Sequence, residues 1–307
     1  MRDGETMIGV LAALINALDN GFYLTISKLV IAVTSPYVFG LVNMGMTAII
    51  LAFYVFIKYG RSRIVSFGKT HWRYLILVGI IGATLNLLNF IGLSLSSALN
   101  AAILARTDVL FSALIGYLFF REALNYHDWF IIGILLIGSM LILNIDIDNF
   151  RINVGDLFFI LSAFLLAVNA IFIKYNLAEV PGPIIAFYNS FVHALIYLLI
   201  VLGMGNFNTM AGFSQVKLLT AISIFLSTLT FFVYYLALRL LPVWSVRALL
   251  LLIPGINLIT EIYVFKGTIV SGQIIGLILV AIGFGWFCFE QCRKSTGRKC
   301  RYEFAKR

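Results

Sequence analysis

Long apolar runs separated by short polar stretches set the pattern of this chain. The runs are continuous rather than alternating, so they read as helices and not as strands of a membrane barrel. About twenty apolar residues cross the hydrocarbon of a bilayer as one helix. Stretches of about that length occur at 8–31, 36–57, 73–94, 98–119, 127–145, 154–175, 182–203, 217–240, 244–265 and 272–290. Short connections make consecutive spans antiparallel neighbours. The expected fold is all-α, an integral membrane protein with ten transmembrane helices.

Composition strengthens this reading. Of 307 residues, 62% are hydrophobic and only 11% charged. Soluble domains carry about 25% charged residues, and so few charges cannot cover a water-exposed surface. The net charge of +9 would suit nucleic acid, but the positives cluster in Lys58–Arg73 and Arg293–Arg307. That pattern fits membrane topology and anionic lipid headgroups instead. The three cysteines, Cys288, Cys292 and Cys300, lie near the C-terminus and imply neither a disulfide framework nor a zinc site. Asp3 and Glu5 stand beside Arg2 at the N-terminus, and the first apolar run holds Asn16, Asp19 and Asn20, so no cleaved signal peptide is expected.

With both termini in the cytoplasm, that side receives Arg2, Lys58, Arg61, Arg63, Lys69, Arg73, Arg121, Lys174, Arg239 and all Lys and Arg of the tail. The outer side receives only Lys28, Arg151, Lys217 and Lys266. The excess of positive charge sets the orientation. The absence of a leader and of large soluble domains points to a bacterial inner membrane.

The chain also repeats itself. Lys28 and Lys174 stand 146 residues apart (174 − 28), and the same offset pairs Gly9 with Gly155, Asn43 with Asn189 and Tyr117 with Tyr263. Five spans per half is an odd number, so the second copy enters the membrane from the opposite side. The halves are expected as 1–148 and 149–292, followed by a basic tail, 293–307. Inverted repeats of this kind mark many secondary transporters, with the substrate site at mid-membrane between them.

Particular segments carry a further likeness. Each half opens with an apolar helix ending in Lys, TISKL and IFIKY. Each has a small-residue helix running into a short break, LSLSSALNAAIL and LRLLPVWSVRALLLLIP. The halves close with FFREAL plus IIGILLIGSMLI, and with IIGLILVAIGF. In these features the chain resembles the EamA-like branch of the drug/metabolite transporter superfamily. The resemblance implies a five-plus-five inverted repeat and alternating-access transport of a small organic solute. Members usually place Pro midway along the fourth and ninth helices. Pro254 fills the second place, while Asp108 stands at the first. Many members carry Arg in the second helix, where this chain has Asn43.

The polar residues inside the spans are the candidate chemistry. Asn16, Asp19, Asn20, Tyr23 and Ser27 share a stripe of the first span, with Asp19 as a proton or cation site. Gly82, Asn86 and Asn89 share a face of the third. Arg106 and Asp108 sit near the middle of the fourth, where a charge costs about 2.5–3.5 kcal/mol on insertion scales. Two residues apart, they face different ways unless the helix is irregular. Asn189, His193 and Tyr197 align on the seventh span, and Ser223, Ser227, Thr230 and Tyr234 on the eighth, with Tyr235 beside them. The ninth sets Arg247, Pro254, Asn257 and Glu261 on one face, Arg247 near enough to the cytoplasmic end to snorkel. For each group the alternative is a packing role, an interhelical hydrogen bond or a structural ion pair. Lys28 and Lys174 read as interface anchors.

The substrate-binding set expected on these grounds is Asn16, Asp19, Asn20, Tyr23, Asn86, Asn89, Arg106, Asp108, Asn189, His193, Tyr234, Arg247, Asn257 and Glu261. They are expected to line a central cavity between the halves. No catalytic motif and no phosphate-binding loop is present in the sequence, so an enzyme and a cofactor are not expected. The expected function is a secondary transporter of a small polar metabolite, an amino acid or related compound, with a proton or counter-solute as coupling partner. An organic-anion exchanger using Arg106 and Arg247 is one alternative, and a lipid-handling protein is another. The chain is expected to act as a monomer or weak homodimer.

Overall fold

The computed structural model describes residues 2–95, 104–120, 124–143, 154–205, 212–265 and 269–304. The side chains of a few residues within these segments, Lys28 and Glu261 among them, lie outside the described set, as do those of 291–304. Every regular element among the described residues is helical. The elements are α1 (Arg2–Ile31), α2 (Pro36–Leu95), α3 (Asp108–Phe120), α4 (Tyr126–Ile142), α5 (Val154–Asn176), α6 (Gly182–Met204), α7 (Lys217–Leu240), α8 (Val243–Leu249), α9 (Ile253–Phe265) and α10 (Ser271–Phe304). Among the described residues, six helices are long and apolar enough to cross a membrane, and Tyr126–Ile142 and Val243–Ile259 are shorter apolar stretches. Large side chains such as Phe53, Ile57, Leu199 and Phe225 face outward, as a lipid-facing surface requires.

The 60 residues of α2 would run about 90 Å if straight, three times the thickness of the hydrocarbon. The helix breaks at Gly60 (φ 73°, ψ 157°) and at His71 (φ −115°, ψ 16°). Only glycine adopts the first conformation cheaply. Two apolar legs result, 36–59 and 72–95. The polar stretch between them, which carries Arg61, Arg63 and Lys69, is itself helical.

Local chemistry explains the other ends. Pro36 and Pro183 lie in first turns, where a missing N–H costs nothing. Asp128 accepts the Asn125 N–H at 2.9 Å and caps α4. Gly205, at φ 65°, closes α6. Lys174 donates to the carbonyl of Leu241, the residue that ends α7. The ammonium therefore caps a neighbouring helix, which adds a packing role to the interface anchoring expected for it.

The fourth and ninth spans are not continuous α-helices. A 3-10 turn at Ala105–Thr107 precedes α3, and another at Leu250–Leu252 separates α8 from α9. Residues 98–103 of the expected fourth span lie outside the described residues. The resemblance places Pro254 midway along the ninth helix. It instead occupies the first turn of α9, just after the break. Asp108 holds the corresponding place at the start of α3, where a carboxylate complements the helix dipole.

The packing is reciprocal. α1 packs on α7, and α5 packs on α2; α1 also meets α9, and α5 meets α3. Asn16 donates to the Thr230 carbonyl at 3.2 Å, and Ser162 to the Leu85 carbonyl at 3.0 Å. Shifting the first pair by 146 reproduces the second within one residue. α4 and α10 cross at Gly138 and Gly276, where a Cβ on Gly138 would stand 3.0 Å from the Gly276 oxygen and one on Gly276 2.7 Å from the Gly138 oxygen.

Candidate functional site

The stripe Ser223, Ser227, Thr230 and Tyr234 on α7 forms a polar seam. Each member takes a partner from another helix. Asn43 Nδ2 donates to Ser223 Oγ at 3.2 Å, and Thr47 Oγ1 to Ser227 Oγ at 3.3 Å. Thr230 Oγ1 donates to Asp19 Oδ2. Arg247 Nη2 donates to Tyr234 Oη at 2.5 Å. Hydroxyls at three- and four-residue spacing point to one side of a helix, so α1, the first leg of α2 and α8 all converge on α7.

Asp19 is only 4% exposed, and its Oδ1 has no hydrogen-bond partner among the described residues. Beside it, the Asn20 amide donates to Asn16 Oδ1 at 3.2 Å and to the Asn16 carbonyl at 2.9 Å. Tyr23 lies near Asp19 and Ser27 on the same stripe. The polar stripe of α1 is thus held together, and it faces the seam rather than lipid.

Arg247 does not snorkel. It is 4% exposed, and Nη1 lies 3.4 Å from Asp108 Oδ2. Nη2 also donates to the Leu166 carbonyl at 3.2 Å. Burying a guanidinium is tolerable only with such partners. Arg106, two residues away in sequence, is the nearer basic residue to Asp108 along the chain. The ion pair of Asp108 is made with Arg247 instead. Arg106 stands in the fields of both Asp108 and Arg247, and its Nε is buried without a partner among the described residues. The 3-10 turn at Ala105–Thr107 supplies the irregularity that lets Arg106 and Asp108 act in one neighbourhood.

On α6, Asn189 Nδ2 donates to Tyr235 Oη at 2.8 Å, and His193 Nδ1 lies 3.1 Å from the Asn189 carbonyl. A carbonyl only accepts, so Nδ1 carries the proton. His193 packs over Gly82 on the second leg of α2. Asn86 donates to the Gly82 carbonyl of its own leg at 3.2 Å, and Asn89 is half-buried one turn on. Asn257 leaves the face expected to hold Arg247, because the 3-10 turn intervenes. Its Oδ1 packs near Gly21 of α1 and is buried without a partner among the described residues. The Glu261 side chain lies outside the described residues. Several of the expected groups contact one another: Asn16 with Asn20, Asp108 with Arg247, and Arg247 with Tyr234. A hollow of about 460 Å³ lies elsewhere, at Val65, Gly68, Lys69, Trp72 and Tyr188.

Thr230, Tyr235, Thr47 and the Leu166 carbonyl were absent from the expected binding set. Thr47 had a signal, since it follows Asn43 by one turn. A backbone carbonyl has none in any sequence.

A bundle of apolar helices with paired charges and hydroxyls inside it is the architecture of a helical membrane protein. The chain belongs to the EamA-like transporter family, whose model matches it twice, over residues 7–144 and 153–288. It is similar to an uncharacterized transporter of Methanothermobacter thermautotrophicus, with 26% identity over 186 residues, which is 59% of this chain and 54% of the relative. The matched region thus spans about half the length of that relative. A solved crystal structure superimposes on 95% of the chain and 98% of its own, at a TM-score of 0.77 and 15% identity. That likeness is one of fold.

Proposed function

We propose that the chain is a secondary transporter that moves a small polar organic metabolite, an amino acid or related compound, by alternating access. In this reading it has ten spans in two inverted halves, both termini lie in the cytoplasm, and it performs no catalysis. Exchange for a proton or a counter-solute returns the carrier. The observation that carries the proposal is the meeting of Asp19 with Thr230, and of the Asp108–Arg247 pair with Tyr234, on the polar stripe of α7, with Arg106 in the field of that pair. Lipid solvates none of these groups, so they belong to a bundle interior or a wet path. The reciprocal contacts of Asn16 and Ser162 support the inverted arrangement, and the charge asymmetry of the connections supports the orientation.

The test is flux. Purified protein in proteoliposomes is expected to exchange at least one solute from a broad panel of labelled metabolites. Empty liposomes serve as the control. If no solute moves in either direction, the transport reading fails.

A further inference from the structure

The polar stretch that joins the two legs of α2 borders two hollows, both apart from the seam of α7. The breaks at Gly60 and His71 set off residues 61–70 as a short helix of their own. Arg61, Val65 and Lys69 recur every four residues, so they share one face, and Trp72 follows three residues later. An apolar hollow of about 180 Å³ opens among Val55, Phe56, Ile64, Val65 and Phe187, with Arg61 in its lining. Val65 also borders the hollow of about 460 Å³ formed with Gly68, Lys69, Trp72 and Tyr188. The Tyr188 hydroxyl donates to the Ile64 carbonyl at 3.3 Å, and a Cβ on Gly68 would collide with it. Glycine at 68 therefore lets α6 approach and shapes the second hollow.

The cations of this face lack a countercharge in the chain. No acidic residue occurs between Asp19 and Asp108, and none in α6. Among the described residues, neither Arg61 nor Lys69 forms an ion pair. Their basic neighbours are engaged: Lys58 donates to Tyr54 Oη at 2.8 Å, and the Arg73 guanidinium lies 5.4 Å from the Trp72 ring centre. Val65 and Trp72 are 42% and 52% exposed. A face that joins unpaired cations to exposed apolar side chains at the end of a membrane span suits headgroups and acyl chains together. Water finds no partners in an apolar hollow, whereas hydrocarbon fills it.

We propose that this bend binds one anionic phospholipid. The phosphate lies over Val65 between Arg61 and Lys69, and an acyl chain enters the apolar hollow beside Phe56 and Phe187. Eight residues span about 12 Å of helix, a gap that two long, flexible side chains close from opposite ends. Both cations supply charge-assisted hydrogen bonds to the phosphate oxygens. Trp72 sits at the headgroup level, where indoles are favoured. The proposal is separate from the transport reading, since lipid retention requires no flux.

The test is lipid retention by the purified full chain in detergent. Labelled phosphatidylglycerol or phosphatidylcholine with the same acyl chains is added, and the lipid that elutes with the protein is measured. Phosphatidylglycerol is expected to bind at least about tenfold more tightly, with two charge contacts at stake. Arg61→Gln combined with Lys69→Gln is expected to abolish that preference, and raised salt to weaken it. Arg61→Lys combined with Lys69→Arg is expected to keep it. Arg63 lies about 200° around the helix from Arg61 and lines neither hollow. Arg63→Gln is therefore expected to bind like the wild type. Monodisperse elution of each variant controls for folding. Soluble glycerol phosphate is expected not to displace the lipid, because it leaves the apolar hollow empty. Equal retention of the two lipids overturns the proposal. Equal loss in Arg63→Gln and the double Gln variant also overturns it, since that marks diffuse surface charge. Displacement by glycerol phosphate marks a site for free anions and overturns the lipid assignment.

Discussion

Thr230 and Tyr234 stand one helical turn apart on α7, and each holds a charged residue from a different helix, Asp19 from α1 and Arg247 from α8. A single stripe of hydroxyls therefore ties an acid and a guanidinium to the same surface. Rotating or sliding α7 disturbs both contacts at once, which links the two charges mechanically.

The Thr230 hydroxyl is the sole hydrogen-bond donor to Asp19 among the described residues. Thr230→Val keeps the shape and removes that donor. Stranding a buried acceptor costs about 1–3 kcal/mol. The expected result is a lowered unfolding temperature in detergent, with Thr230→Ser close to wild type. Equal melting of the Val and Ser variants would mean that the hydroxyl contributes nothing.

Arg247 and Asp108 form a buried ion pair, so removing one partner strands the other. Breaking such a pair costs about 3–5 kcal/mol, whereas replacing both sides is often near neutral. Arg247→Gln and Asp108→Asn are each expected to lower the melting temperature clearly, and the double variant to recover much of the loss. A double-mutant cycle read by thermal unfolding checks this. Strict additivity of the two losses would show that the residues do not interact.

Close backbone contact at Gly138 and Gly276 leaves no room for a side chain. Val at either position must push α4 and α10 apart. Overpacking of this kind costs about 1–3 kcal/mol. The variants are expected to melt earlier and elute less cleanly, while Gly133→Ala, where a Cβ meets nothing within 4 Å, is expected to match wild type.

Much of this was legible in the sequence. Apolar runs located the helices, because bilayer thickness dictates their length. The spacing of Ser223, Ser227, Thr230 and Tyr234 exposed the seam, because a regular helix brings three- and four-residue neighbours together. The misreadings fall where the helix is irregular. Arg247 and Asn257 seemed to share a face because the 3-10 turn at Leu250–Leu252 was invisible. Arg247 seemed able to snorkel because nothing in its own span showed Asp108 across the interface. Pairing between halves depends on tertiary approach, which local periodicity does not encode.

The contact between the first leg of α2 and α7 yields a direct test of alternating access. Thr47 Oγ1 and Ser227 Oγ lie 3.3 Å apart, and one turn away Asn43 meets Ser223 at 3.2 Å. The two helices come from different halves of the chain, and their contact lies in the half of the bundle that the proposed orientation sets outward. If the carrier opens outward, this contact must part. A disulfide needs Cβ atoms about 3.5–4.5 Å apart, and side-chain oxygens at 3.3 Å make that approach feasible here with slight adjustment. In a background with Cys288, Cys292 and Cys300 replaced by Ser, the pair Thr47→Cys and Ser227→Cys is expected to cross-link under mild oxidation. Cross-linking is expected to stop flux, and reduction to restore it. Each single cysteine variant should be unaffected by the oxidant. If the cross-linked protein carries solute at the rate of the reduced form, α2 and α7 do not separate during the cycle, and the outward opening must run along another interface.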